Sequence, residues 1–129
     1  MLYLFSNALF ISTPEYNGFF PPLLKNTIDW LSRSEVEDEE PLKVFKGKVA
    51  MIVATSPGKL GGIRALQHLR ILLNNVRING LPNEIGIPLA TKNFDKDGNL
   101  VDENLKNILF NHISSLKNFI DTGRNDKNC

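Results

Sequence analysis

Two unbroken apolar runs, each closed by a turn and followed by a helical repeat, constrain this fold more than any other feature of the chain. Ala8-Leu-Phe-Ile-Ser-Thr13 stops at Pro14, and Lys48-Val-Ala-Met-Ile-Val-Ala-Thr55 stops at a Ser-Pro-Gly turn. A strand that is apolar at consecutive rather than alternate positions is expected to be buried on both faces, as where helices cover both sides of a parallel sheet. After the first run, the loop Glu15 to Phe20 leads to Pro21 and Pro22, which suit a helix start because the missing N–H groups cost nothing there. Leu23, Leu24, Ile28 and Leu31 recur at helical spacing and predict a helix from about Pro22 to Ser32. Ile63, Leu66, Leu69, Leu73 and Val76 mark a second helix, expected to stop around Asn79-Gly80.

Glu84-Ile-Gly-Ile-Pro-Leu89 reads as a third strand, and Pro88, which has no amide to donate, places it at an edge. Asp95 to Gly98 predicts a turn and Asp102 an N-cap. Leu105, Ile108, Leu109, Ile113, Leu116 and Ile120 then predict a final amphipathic helix. Strands alternating with helices call for parallel strands with right-handed crossovers, an α/β three-layer sandwich. Residues 1–120 read as one domain and the polar tail 121–129 as a frayed end.

Composition removes several function classes. Fifteen basic against 14 acidic residues give a formal charge of +1, which provides no field for nucleic acid or anionic lipid. The acidic run Glu35 to Glu40 has no apolar period and reads as a solvated connection. Cys129 is the only cysteine, so neither an intrachain disulfide nor a cysteine-rich metal site is available, and a cytoplasmic protein is expected. Met1 to Ile11 lacks the basic flank of a signal peptide, and no run reaches the roughly 20 apolar residues needed to cross a bilayer.

In open α/β sheets, ligands bind beyond the carboxyl ends of the strands, which here carry the loops Thr13 to Gly18 and Ser56 to Gly62. The second loop matches neither a P-loop nor a dinucleotide fingerprint. Its glycines read either as a close approach to a ligand or as tight strand-to-helix packing at Gly61 and Gly62. Taken singly, Glu15 reads as a turn cap, Tyr16 as a surface aromatic, Trp30 as plain core, and His68 and His112 as packed or exposed helix residues, with no metal ligand among them.

Taken together, Thr13-Pro-Glu-Tyr-Asn-Gly18, Leu24-Lys-Asn-Thr-Ile-Asp-Trp-Leu-Ser32 and Ser56-Pro-Gly-Lys-Leu-Gly-Gly-Ile-Arg-Ala65 resemble the NADPH-dependent FMN reductase family, which includes chromate, quinone and azo-dye reductases. The resemblance runs over roughly residues 8 to 120. It implies a flavodoxin-like fold, strand order 2-1-3-4-5, of which this chain would carry strands 3, 4 and 5 with their helices, truncated at the N-terminal side. It also implies FMN as cofactor and NAD(P)H as cosubstrate, with electrons passed to a quinone, flavin, azo or metal-oxyanion acceptor. Pro14, Glu15, Tyr16 and Asn17 would border the flavin ring, and Ser56, Pro57, Gly58, Lys59, Leu60, Gly61 and Gly62 its pyrimidine side. No catalytic side chain is implied.

The family's phosphate-binding loop has no counterpart in the sequence, so a non-catalytic remnant serving as an oligomerisation or interaction module stands as the alternative, with a nucleotide-binding regulator behind it. The resemblance further implies a homo-oligomer through the Leu24–Ser32 helix, which makes Trp30 equally a subunit contact, with the Ala8 to Thr13 edge covered by a second subunit or a separate N-terminal piece. Phe19-Phe20-Pro21-Pro22 departs from the family pattern and would set two rings beside the flavin or against a partner.

Overall fold

The computed structural model describes residues 8–34 and 36–125; Met1 to Asn7, Glu35 at the head of the acidic run, and the end of the tail with Cys129 lie outside the described residues. β1 (Ala8–Pro14) pairs in parallel with β2 (Val49–Thr55), with Ala8 opposite Val49 and Pro14 opposite Thr55. Along the other side of β2 run β3 (Asn79–Gly80), opposite Val49 and Ala50, and β4 (Ile85–Ile87), opposite Val53 to Thr55, both parallel. β3 and β4 form one line broken over 81–84, where Pro82 has no amide to offer.

The helices are α1 (Pro22–Leu31), α2 (Ile63–Asn75), the short α3 (Ala90–Asn93) and α4 (Glu103–Asn125), with a 3-10 turn at Lys43–Phe45. Successive residues of β2 point to opposite faces, and each face has its own helical cover. Ala50, Ile52 and Ala54 join Ile28 of α1 and Ala65, Leu66, Leu69 and Leu73 of α2 in one buried cluster. Val49, Met51 and Val53 join Ile85, Ile87 and Leu116 of α4 in the other. β2 is thus buried from Val49 to Ala54, which is why its sequence shows no alternation.

The structure corrects four expectations. α2 ends at Asn75, short of Asn79-Gly80, because Arg77 takes φ 65° and a Schellman closure forms: Ile78 N–H donates to Leu73 O at 2.9 Å and Arg77 N–H to Asn74 O at 3.0 Å. Asn79-Gly80 is free to become β3. β1 is not buried on both faces, since α4 lies over β2 while Phe10 and Ser12 remain exposed. Ile108 and Ile113 of α4 are likewise exposed, so its seated stripe narrows to Leu105, Leu109, Leu116 and Ile120. α4 also continues past residue 120 to Asn125, taking up part of the expected tail. Asp102 is the N-cap, its Oδ1 accepting from Leu105 N–H at 2.9 Å.

Candidate functional site

Because β1 and β2 are neighbours running the same way, the loops at their carboxyl ends abut. Glu15 N–H donates to Thr55 O at 3.3 Å, extending the pairing one residue past the sheet. The chain then reverses in a tight turn: Tyr16 N–H donates to Phe19 O at 2.8 Å and Phe19 N–H to Tyr16 O at 3.0 Å, with Asn17 at φ 52° and Gly18 at φ 82°. Two successive positive φ values define a type I′ turn, which asparagine followed by glycine adopts at little cost.

Glu15 is carried inward by this geometry. Its side chain is only 6% exposed and pairs with Arg64 at the start of α2, while Oε2 is buried with no hydrogen-bond partner among the described residues. The pair ties one loop to the helix that follows the other. Arg64 and Glu15 stand 49 residues apart in sequence, and nothing local marks them as partners.

The Ser56 loop is braced from a third side. Ser56 N–H donates to Ile87 O at 3.4 Å, while Leu89 N–H donates to Gly58 O at 3.1 Å and Ala90 N–H to Ser56 O at 3.0 Å, so the start of α3 holds the loop in place. Gly61 and Gly62 have a packing role. A Cβ on Gly61 would lie 2.7 Å from the Gly86 carbonyl carbon, and one on Gly62 2.7 Å from Ala54 Cβ, and both residues have positive φ. No side chain fits between this loop and the ends of β2 and β4. The amides of Gly58, Lys59 and Leu60 donate to no described residue.

A cleft of about 480 Å³ opens between the loops, within the roughly 300–1,000 Å³ common for small-molecule sites. Of the residues singled out in the sequence, Glu15, Asn17, Ser56, Pro57, Gly58, Lys59 and Leu60 line it. Tyr16, Gly61 and Gly62 do not: Tyr16 is exposed at the turn, and the two glycines are buried beneath the loop. Pro14 instead lines a second, smaller cleft of about 230 Å³ with Ser12, Thr55 and Phe94. Gly18, the last residue of the first loop, and Arg64, within the Ser56 to Ala65 motif, also line the main cleft, although neither was assigned to the flavin ring.

The Phe19-Phe20 pair does not face the cleft. Phe20 is buried in the α1–α2 core, and Phe19 lies with its ring centroid 4.5 Å from that of His68. His68 Nδ1 is 2.8 Å from Arg64 O and His112 Nδ1 is 2.6 Å from Ile108 O, so each ring hydrogen-bonds its own helix. Trp30 is exposed and is not core. Among the described residues no three His, Cys, Asp or Glu side chains converge, and no helix is long and apolar enough to cross a membrane.

A family model described as NADPH-dependent FMN reductase matches residues 6–92. The chain is 35% identical over 113 residues to an NAD(P)H-dependent FMN reductase of Pseudomonas aeruginosa, covering 87% of this chain and 58% of that protein. It is 32% identical over 117 residues to a quinone reductase of Escherichia coli, covering 89% and 59%. Among solved structures, FerB, a flavoenzyme NAD(P)H:(acceptor) oxidoreductase from Paracoccus denitrificans, superposes with a TM-score of 0.78 at 29% identity, covering 94% of this chain and 64% of FerB. The fold is flavodoxin-like, and the chain spans about three-fifths of the length of the curated relatives it matches.

Proposed function

Because the chain belongs to the NADPH-dependent FMN reductase family, we propose that it serves FMN-dependent oxidation of NAD(P)H with transfer of electrons to a quinone-type acceptor, the flavin ring lying in the cleft between the Glu15 and Ser56 loops. The observation that carries this reading is the wall formed by Gly58, Lys59 and Leu60, three successive residues that line a cleft of suitable size and whose amides have no described partner. The quinone-type acceptor follows the names of the Escherichia coli relative and of a 2-hydroxy-1,4-benzoquinone reductase of a Burkholderia species, 36% identical over 107 residues.

The residues present fit a flat heteroaromatic ring. The free amides of 58–60 would donate to its carbonyl oxygens, and Leu60, 60% exposed, offers apolar surface to its plane. The Glu15–Arg64 pair and the bracing by Leu89 and Ala90 hold the two walls at a fixed separation before any ligand arrives, which lowers the ordering cost of binding. Lys59 adds a positive charge to the lining, favourable to an anionic ligand. FMN, when bound, supplies the hydride and electron chemistry itself, and the chain contributes position, hydrogen bonds and exclusion of water.

α1 suits the subunit contact of a homo-oligomer. Leu23 is 75% and Trp30 73% exposed, and their seven-residue spacing puts them on one side of the helix, away from buried Ile28.

Titration with FMN, following quenching of flavin fluorescence, tests the reading. The native chain should quench and should then oxidise NADPH in the presence of 1,4-benzoquinone. Gly58→Val, which alters a wall of the cleft where the backbone is unstrained, should abolish quenching while far-ultraviolet circular dichroism stays unchanged. Absence of quenching by the native chain would end the reading for this polypeptide.

A further inference from the structure

We propose that the left-handed backbone of Leu89 is a positioning device for the main cleft, setting the direction of the Lys59 amide; its use in holding a ligand rests on the reading of that cleft as a flavin site. Among the described residues other than glycine, Asn17, Asp38, Leu42, Arg77 and Leu89 have positive φ. Asn17 and Asp38 are of the types that tolerate this region, whereas a leucine there crowds its Cβ against the following carbonyl oxygen. Such a conformation persists only where its surroundings over-determine it. Arg77 closes α2 and Leu42 opens the 3-10 turn, so each serves a local reversal of the chain. Leu89 alone among them bonds to a loop of the cleft.

At φ 50° and ψ 51°, Leu89 is held at both ends of its backbone. Its carbonyl accepts from Lys92 N–H at 2.8 Å and Asn93 N–H at 2.9 Å, and the Asn93 side chain donates to Pro88 O at 2.8 Å, which folds α3 back on the residues before it. Its own N–H and that of Ala90 go instead to the Ser56 loop, to Gly58 O at 3.1 Å and Ser56 O at 3.0 Å. A left-handed residue followed by a right-handed one brings successive N–H groups to one side of the chain, where they grip neighbouring oxygens together. An extended Leu89 would part the two donors.

The consequence for the cleft lies in the geometry of the peptide unit. Gly58 C=O and Lys59 N–H belong to one planar trans unit and point in opposite directions. With Gly58 O drawn toward Leu89, and accepting also from Gly61 N–H at 3.4 Å, Lys59 N–H is aimed away from α3. Lys59 lines the cleft, no residue of 89–93 does, and the Lys59 amide has no described partner. The donor is therefore set before any ligand arrives, which spares part of the ordering cost of binding. The Leu89 side chain has little part in this, since it is only partly buried and belongs to neither core cluster.

Three substitutions separate backbone from side chain, because the two roles predict opposite orders. Leu89→Asn and Leu89→Gly accept the left-handed region and should keep both the exchange protection of the amides at 89 and 90 and the affinity for FMN within about threefold of native. Leu89→Ile keeps the side-chain volume but is β-branched, and should lose about tenfold in both. Exchange at Leu69 in α2 should not change in any of them, marking the fold as intact. The reverse order, with Ile near native and Asn and Gly each about tenfold worse, would make Leu89 a packing residue and overturn the proposal. So would equal behaviour of all three, or an FMN affinity that holds in Leu89→Ile while protection is lost. The Asn and Gly variants decide the matter even where Leu89→Ile melts as a whole, since loss of packing would free both amides in each of them. Exchange is measured without ligand, so the two failures are distinct: a native chain that does not quench FMN ends the flavin reading, whereas unchanged protection across the series ends the role of Leu89.

Discussion

The two faces of the sheet are built to different standards. On the α1–α2 face twelve described side chains are buried in one cluster, while on the α4 face six are, and α4, with 23 residues, contributes only Leu116 to them. The contrast extends to how the helices begin. Neither α1 nor α2 has a side-chain cap, since Pro21 and Gly62 stand at those positions, whereas α4 starts on the Asp102 carboxylate and follows a turn organised by Asp95. Helices that bury a wide stripe are held by tertiary packing, and a helix that buries a narrow one leans more on local hydrogen bonds.

The largest expected effect separates the faces directly. Leu69 is fully buried in α2, and Leu69→Ala should cost about 2–5 kcal/mol. Leu109 of α4 is only partly buried, and Leu109→Ala should cost about 1–2 kcal/mol, since less of its surface leaves water on folding. Urea denaturation of both variants decides the matter, and equal losses would mean that the faces are equally packed.

The Ser56 loop lies where the two faces meet, and a pair of glycine substitutions divides it. Gly61→Ala puts a Cβ against the Gly86 backbone at φ 61°, combining left-handed strain of about 1–2 kcal/mol with overpacking, for a total of about 2–4 kcal/mol. Gly58→Ala meets nothing closer than Ser56 Oγ at 3.8 Å and should stay within about 0.5 kcal/mol. Thermal melts that moved equally would refute the division between a packing half and a cleft-facing half.

The sequence was most legible where burial was most complete. β2 and the α2 stripe showed themselves because consecutive or periodic apolar residues have few other uses. β1 misled for the same reason. Its composition is that of a strand with two covered faces, but cover is a property of neighbours, and only one face of β1 has them among the described residues. The end of α2 was hidden because Arg77 took the left-handed position three residues before the glycine that advertised it. In the site, the loop residues could be read as a set, yet their division could not: Gly61 and Gly62 differ from Gly58 only in what lies beneath them. Arg64 stood in plain view next to Ile63, but its carboxylate partner comes from the other loop.

A smaller effect tests the reliance of α4 on its own start. Asp102→Ala removes the acceptor for Leu105 N–H and should cost about 1 kcal/mol. Amide exchange should show the loss concentrated in α4, with α2 unaffected. A loss spread evenly over both helices would show that the faces unfold as one unit and that their difference in packing has no separate consequence.

The smallest effect is one of pH. Asp95 Oδ1 accepts from the amides of Asp97 at 2.9 Å and Asn99 at 2.8 Å, and Oδ2 from the Asn99 side chain at 3.0 Å. Chiefly through the Asn99 side chain, and then through backbone donors, these bonds hold the Asp95 carboxyl below its ordinary value of 3.8. A carboxyl held low in the folded state binds its proton more readily in the unfolded chain. Its contribution to stability is therefore present above about pH 4 and disappears as pH falls through the lowered folded value. Asp95→Asn should be slightly less stable than the native chain at pH 7, and the gap should close in strong acid. Denaturation midpoints of the two proteins at both pH values provide the check, and a gap that persists unchanged in acid would mean that the turn depends on side-chain shape and not on charge. Because this turn leads into α4, acid should loosen the sparsely packed face before the α1–α2 face, and exchange at Leu109 should quicken while that at Leu69 holds.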